Sequence, residues 1–171
     1  MTLIRRNLFL FSFIFKENRL LAIGGFNGNS LASTELITED NHQNCNVPSY
    51  PIALRGHASS VTEDGIVSCG GKIGSNLTYL NTCKRLAKSG SWVSFPSMKS
   101  KRVYFGIKMM NERLWAIGGS GGQNSMESID PKNEDEWTKQ SLPFSVFGHC
   151  LSELSDQRLI VTGGLDNGVS R

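Results

Sequence analysis

Four Gly-Gly pairs divide this chain at nearly even intervals: Gly24-Gly25, Gly70-Gly71, Gly118-Gly119 and Gly163-Gly164, spaced 46, 48 and 45 residues apart. Each pair closes a short apolar run: Leu20 to Ile23, Ile66 to Cys69, Leu114 to Ile117 and Leu159 to Thr162. A period in the forties marks one supersecondary unit copied in series, each copy burying its faces against its neighbours.

The third copy shows the unit most clearly. Arg102 to Met110 is rich in apolar and aromatic residues and reads as a first strand. Asn111-Glu112 turn the chain into a second strand, Arg113 to Ile117, which ends at its Gly-Gly pair. A third strand spans Met126 to Asp130 and stops at Pro131. A fourth begins at Glu136-Trp137 and ends at Leu142-Pro143. The fold class is therefore all-β, built of four-stranded antiparallel meanders. The other copies carry the same marks. A first-strand glycine recurs as Gly56, Gly106 and Gly148, a fourth-strand tryptophan as Trp92 and Trp137, and a proline as Pro48 or Pro51, Pro96 and Pro143. Cys45 stands where the first copy lacks its tryptophan.

These residue types have physical reasons. A blade between two neighbours is buried on both faces, so its inner strands are continuous apolar runs. A Gly-Gly pair lets the chain pass where a side chain would strike the next blade. Tryptophan fills the gap that widens toward the outer strand. The units are residues 1–50, 51–96, 97–145 and a half unit, 146–171.

In these ordered features the chain resembles the kelch repeat. Gly106, Leu114 to Gly119, Ile129-Asp130, Trp137 and Leu142-Pro143 carry the resemblance, as do Gly56, Ile66 to Gly71, Tyr79, Trp92, Phe95-Pro96 and Met98. A WD-repeat propeller would need a Trp-Asp pair, which is absent. The resemblance implies β-propeller blades in an incomplete or open propeller, since propellers close with four to eight blades. The chain is either a fragment of a larger propeller or an open arc. Exposed ends near Leu8 to Phe15 and Leu159 to Thr162 would then favour self-association.

Composition narrows the function. A net charge of +3 gives no case for nucleic acid, and the basic stretch from Lys84 to Arg102 lacks regular spacing. The apolar run Leu8 to Phe15 after Arg5-Arg6 resembles the start of a secretory signal, but no small-residue cleavage site follows and it is too short to span a bilayer, so a strand is the favoured reading over a signal. The four cysteines form no C-x-x-C and the three histidines are scattered, so no metal site or other cofactor is expected. His57 and His149 hold equivalent places, which argues for a structural role. Glu39-Asp40 with His42 reads as a solvated loop, and the histidine pair of the copper-dependent galactose-oxidising kelch enzymes has no match. No catalytic constellation is found.

Two features remain. Cys69 and Cys83 fall on adjacent strands of one unit and could form a disulfide. The sequon Asn76-Leu77-Thr78 lies nearby. Cytoplasmic residence is expected, with a secreted protein as the alternative. In propellers, loops at one end of the channel form the binding face. By resemblance to kelch adaptors that grip acidic peptides, the candidate binding residues are Arg55, Lys72, Ser75, Arg102, Ser120, Gln123 and Asn124. The resemblance implies a non-catalytic module binding a protein or peptide, and a ubiquitin-ligase adaptor if the chain is part of a longer one. The alternative is a secreted carbohydrate-binding or sugar-active protein.

Overall fold

The structure is a computed structural model, and it describes residues 12–16, 19–37, 47–74, 78–133, 135–155, 158–166 and 169–170. Cys45, the Glu39-Asp40-His42 cluster, Ser75, Asn76 and Leu77 lie outside the described residues. Every regular element described is a β-strand. The first unit holds β1 (Ser12–Lys16), β2 (Arg19–Ile23) and β3 (Thr34–Ile37), paired in that order. The second holds β4 (Arg55–Thr62), β5 (Gly65–Ile73), β6 (Thr78–Tyr79), β7 (Cys83–Ala87) and β8 (Trp92–Phe95). Its order is β4-β5-β7-β8, with β6 beside the end of β5. The third is a complete meander: β9 (Gly106–Met110), β10 (Arg113–Ile117), β11 (Ser125–Ile129) and β12 (Thr138–Ser141). Then follow the hairpins β13 (Cys150–Glu153) with β14 (Leu159–Thr162), and β15 (Leu165–Asp166) with β16 (Val169–Ser170).

The Gly-Gly pairs work as the sequence suggests, with a division of labour between the two residues. The first glycine N–H bonds the approach to the third strand of its own unit: Gly24 to the Ser33 carbonyl, Gly70 to Thr82 and Gly118 to Ser125. The second glycine N–H reaches across the seam to the next unit: Gly25 to Leu54, Gly71 to Arg102 and Gly119 to Val146, at 2.8 to 3.0 Å. All six have positive φ, which only glycine adopts without strain. A Cβ on Gly70 would lie 2.5 Å from the Arg102 carbonyl oxygen, and one on Gly118 2.5 Å from that of Val146.

The tryptophans tie the same seams at the outer edge. The Trp92 indole N–H donates to the Pro48 carbonyl at 3.0 Å, and that of Trp137 to the Pro96 carbonyl at 2.9 Å. Of the two prolines open in the first unit, Pro48 is thus the equivalent. Trp137 is wholly buried, and with Met98, Phe95, Phe105, Leu114 and Ile129 it forms the core between the second and third units. Tyr50 packs edge-on against Trp92 at 4.8 Å in the preceding seam.

Three expectations need correction. The first strand of the third unit starts at Gly106, because residues 102–104 give their backbone to neighbours: Arg102 N–H to Leu80, Val103 to Ser120 and Tyr104 to Gly56. The fourth strand starts at Thr138, with Trp137 just ahead of it. Gly106 is not the counterpart of Gly56 and Gly148. The Tyr104 N–H donates to the Gly56 carbonyl at 2.8 Å and the Gly148 N–H to the Tyr104 carbonyl at 2.7 Å, an inner rung passing through equivalent positions. Tyr104 has the positive φ of its two glycine counterparts.

Cys69 and Cys83 face each other across β5 and β7 and are joined in a disulfide. Disulfides persist in oxidising compartments, the condition under which the secreted alternative holds. The β13–β14 hairpin has no following unit packed on it among the described residues. Among the described residues, a Cβ on Gly163 or on Gly148 would meet nothing within 4 Å, whereas one on Gly24, Gly70, Gly118 or Gly56 would strike the following unit.

Candidate functional site

The strand starts of β4, the ends of β5 and the loops after each Gly-Gly pair gather at one end of the units. There the chain positions two cations together. Arg55 opens β4 and Lys72 stands near the end of β5, and the two are direct cross-strand partners. Like charges in that relation repel. The side chains are splayed instead of neutralised. The Arg55 guanidinium lies over the Phe26 ring at 4.3 Å and donates to the Ser30 hydroxyl at 2.9 Å, both on the first unit. The Lys72 ammonium sits 4.8 Å from the Tyr104 ring, on the third unit. Each cation is thus held by the quadrupole of an aromatic face across a seam. Among the described residues no carboxylate forms an ion pair with either.

The remaining candidates divide. Ser120 is half-buried and its backbone bridges to Val103 in both directions. Gln123 is half-buried and Asn124 exposed; their carbonyls accept from Val146 and Leu142, which shapes the loop and leaves the amide side chains on its surface. Gly121 brings this loop against the Lys101 carbonyl and the Tyr79 ring, and Tyr79 is the β6 partner of Lys72. Ser75 lies outside the described residues.

Arg102 is a correction. It is fully buried, so it cannot meet a ligand from solvent. Its Nη1 donates to the carbonyls of Gly118, Gly122 and Ser125, and its Nη2 to the Ser125 hydroxyl and to Glu127 Oε1 at 2.8 Å. Glu127 also accepts the N–H groups of Lys99 and Ser100. Burial pushes the Arg102 guanidinium down from its ordinary value and Glu127 counters that. The pair fastens the loop of its own unit from inside.

Phe26 and Ser30 lie in the loop after the first Gly-Gly pair but are not among the candidate residues, and neither is Tyr104. Phe26 had a signal, since it directly follows a Gly-Gly pair as Lys72 and Ser120 do. Tyr104 had none, because it reads as a strand residue. At the other end of the units a cavity of about 220 Å³ is lined by Thr62, Glu63, Asp64, Met109, Glu112, Pro131 and Lys132. Lys132 already spans it, 3.0 Å from Glu63 and 4.0 Å from Glu112. No group of three or more metal-ligating side chains occurs among the described residues.

Four-stranded units, seam-crossing Gly-Gly pairs and an outer tryptophan characterise the architecture that carries this loop face. No family model matches the chain. Over 160 residues, 88% of its length, it is 23% identical to Kelch repeat and BTB domain-containing protein 1 of Vaccinia virus. Over 154 residues, 85% of its length, it is 28% identical to human Kelch-like protein 34. Its repeats resemble those of kelch proteins. With Kelch-like protein 36 of Rattus norvegicus the identity reaches 32%, over 57% of the chain. The chain spans 28% of the viral relative, 24% of the human one and 16% of the rat one. The loop face is therefore described within a set of kelch units much shorter than those relatives.

Proposed function

We propose that this kelch chain is a non-catalytic module that binds an acidic peptide segment of a partner protein through its loop face. The observation that carries the reading is the Arg55–Lys72 pair. Two cations sit directly opposite one another, braced on Phe26 and Tyr104, without a carboxylate among the described residues to neutralise them. An anionic side chain placed between them would relieve their repulsion and gain charge-assisted hydrogen bonds. Ser30, Ser120, Gln123 and Asn124 supply neutral donors and acceptors around that point. The adaptor role of a longer chain carrying a BTB domain rests on the names of the viral relatives alone. Selecting peptides from a random displayed library on the purified chain tests the reading. Enriched peptides should carry Asp or Glu, and Arg55→Glu with Lys72→Glu should weaken them about tenfold or more, the scale of one lost charge-assisted contact. Enriched peptides without acidic residues, or undiminished binding by the double variant, would refute it.

A further inference from the structure

The two outer seams and the middle seam differ at one residue. His57, Phe105 and His149 hold equivalent positions, directly after Gly56, Tyr104 and Gly148. Each ring presses on the first glycine of the preceding unit. A Cβ on Gly24 would lie 2.9 Å from His57 Cε1, one on Gly70 2.8 Å from Phe105 Cε1, and one on Gly118 3.0 Å from His149 Cε1. The seam between the first and second units and the seam between the third and fourth are therefore wedged by imidazoles. The seam between the second and third is wedged by a phenyl ring.

Both imidazoles are more than nine-tenths buried, and among the described residues no nitrogen of either makes a well-formed hydrogen bond. Tyr50 stacks on His57 at 6.1 Å, and burial holds its phenol up at about 12, neutral throughout the range that matters. The other described titratable side chains on the elements around His57 include Arg55 and Lys72, Lys108 on β9 and Lys84 and Arg85 on β7, all cations, and Glu35 on β3, which is exposed. The described titratable side chains on the elements next to His149 include Lys108 and Glu153, paired with each other at 3.8 Å, Arg113 on β10, bonded to Ser128, the Cys150 thiol, and Asp166 on β15. Burial is the sole influence on His149 and pushes it down. Burial pushes His57 down to about 4, against a smaller pull from the Ile23 backbone. Among the described residues no carboxylate supports the charged form of either ring.

We propose that mild acid opens the first and last seams of this chain while the middle seam stays closed. The sign follows from the direction of the shifts. Each histidine is neutral in the closed seam, while an opened seam exposes a ring of ordinary pKa near 6.5. Above that value neither state takes the proton and the seams are at full strength. As pH falls from about 6.5 toward 4, the opened state gains the proton first and closure weakens. Phe105 carries no such dependence. The middle seam also keeps the Trp137–Pro96 bond, the Met109 N–H to Ser60 bond and the Lys132–Glu63 pair.

Hydrogen exchange of the full chain at pH 7.4 and pH 5.0, corrected for the intrinsic rate, reads each seam separately. Protection of β2–β3 and of β13–β14 should fall at pH 5.0, by about tenfold or more for β2–β3, while β5, β9 and β10 keep theirs. His57→Phe should restore β2–β3 alone, and His149→Phe should restore β13–β14 alone. The reciprocal change, Phe105→His, should carry the acid sensitivity into the middle seam, so the outcome does not depend on either loss variant folding well. Protection lost evenly over all units, a His57→Phe chain that opens as the wild type does, or a Phe105→His chain with an unchanged middle seam would each overturn the proposal.

Discussion

Arg102 and Glu127 form an ion pair in which neither side chain is exposed. Removing both charges from water is costly, and their mutual attraction alone rarely compensates. Here the guanidinium has four oxygen partners besides the carboxylate, and the carboxylate two backbone N–H partners besides the guanidinium. The pair is stable because its hydrogen-bonding capacity is nearly filled. Arg102→Leu copies the residue that the second unit places there, Leu54. It should nonetheless cost about 3–5 kcal/mol, because buried Glu127 is left without its countercharge. Arg102→Leu with Glu127→Leu should recover part of that loss in urea denaturation; a double variant as weak as the single one would contradict this account. The sequence conceals the distinction between Arg55 and Arg102, both of which precede a first-strand glycine when Gly106 is matched to Gly56. That match sets Arg102 beside Ile52, an exposed position. The backbone rung through Tyr104 shifts it by two residues and sets Arg102 beside Leu54 and Val146, both buried. A tyrosine at positive φ carries no signal that would have shown the shift.

At the scale of the strand, hairpin turns divide into two chemistries. The β9–β10 hairpin pairs Met110 with Arg113 directly, leaving Asn111 and Glu112 as a two-residue loop. Both have positive φ, at 50° and 59°, as a type I′ turn requires. Asparagine tolerates that region and glutamate does not. The second unit has Gly65 at the strand entry instead, with φ 141° and its Cβ position against the Leu86 carbonyl. Glu112→Gly should therefore stabilise the chain by about 1 kcal/mol, raising Tm by a few degrees. The outermost contact it gives up, an exposed 4.0 Å approach to Lys132, is worth little because Glu63 holds the same ammonium at 3.0 Å. An unchanged or lower Tm would show that the turn is not strained. Strand existence and order were legible because apolar runs and Gly-Gly pairs encode them locally. Strand starts were not, because whether residues 102–104 join their own ladder or a neighbour's depends on the adjacent unit.

For the whole molecule, each seam is the same contact made again with the next unit, and the last one has no next unit among the described residues. Ile23, Cys69 and Ile117 precede their Gly-Gly pairs and are at most 5% exposed. Thr162 holds that place in the β13–β14 hairpin and is exposed, as is its cross-strand partner Cys150. Ala58 and Gly106, the counterparts of Cys150, lie against the following unit: the Gly106 Cβ position meets Leu151, and Ser60 beside Ala58 accepts from Met109. The open face thus has the shape of an inner seam, with a small strand start and an unfilled Gly148–Gly163 groove. Such a face attracts another sheet surface, because filling it removes apolar area from water and satisfies strand-edge groups. Thr162→Lys projects a charge from the centre of that face without touching the three closed seams. Sedimentation of the wild-type chain should show association that grows with concentration, and the Thr162→Lys chain should remain monomeric at the same concentrations with unchanged thermal stability. Equal association of the two would place the contact elsewhere on the molecule. A wild-type chain monomeric throughout would mean that the charged and polar rim, Glu153 with Ser152 beside it, already keeps the face apart.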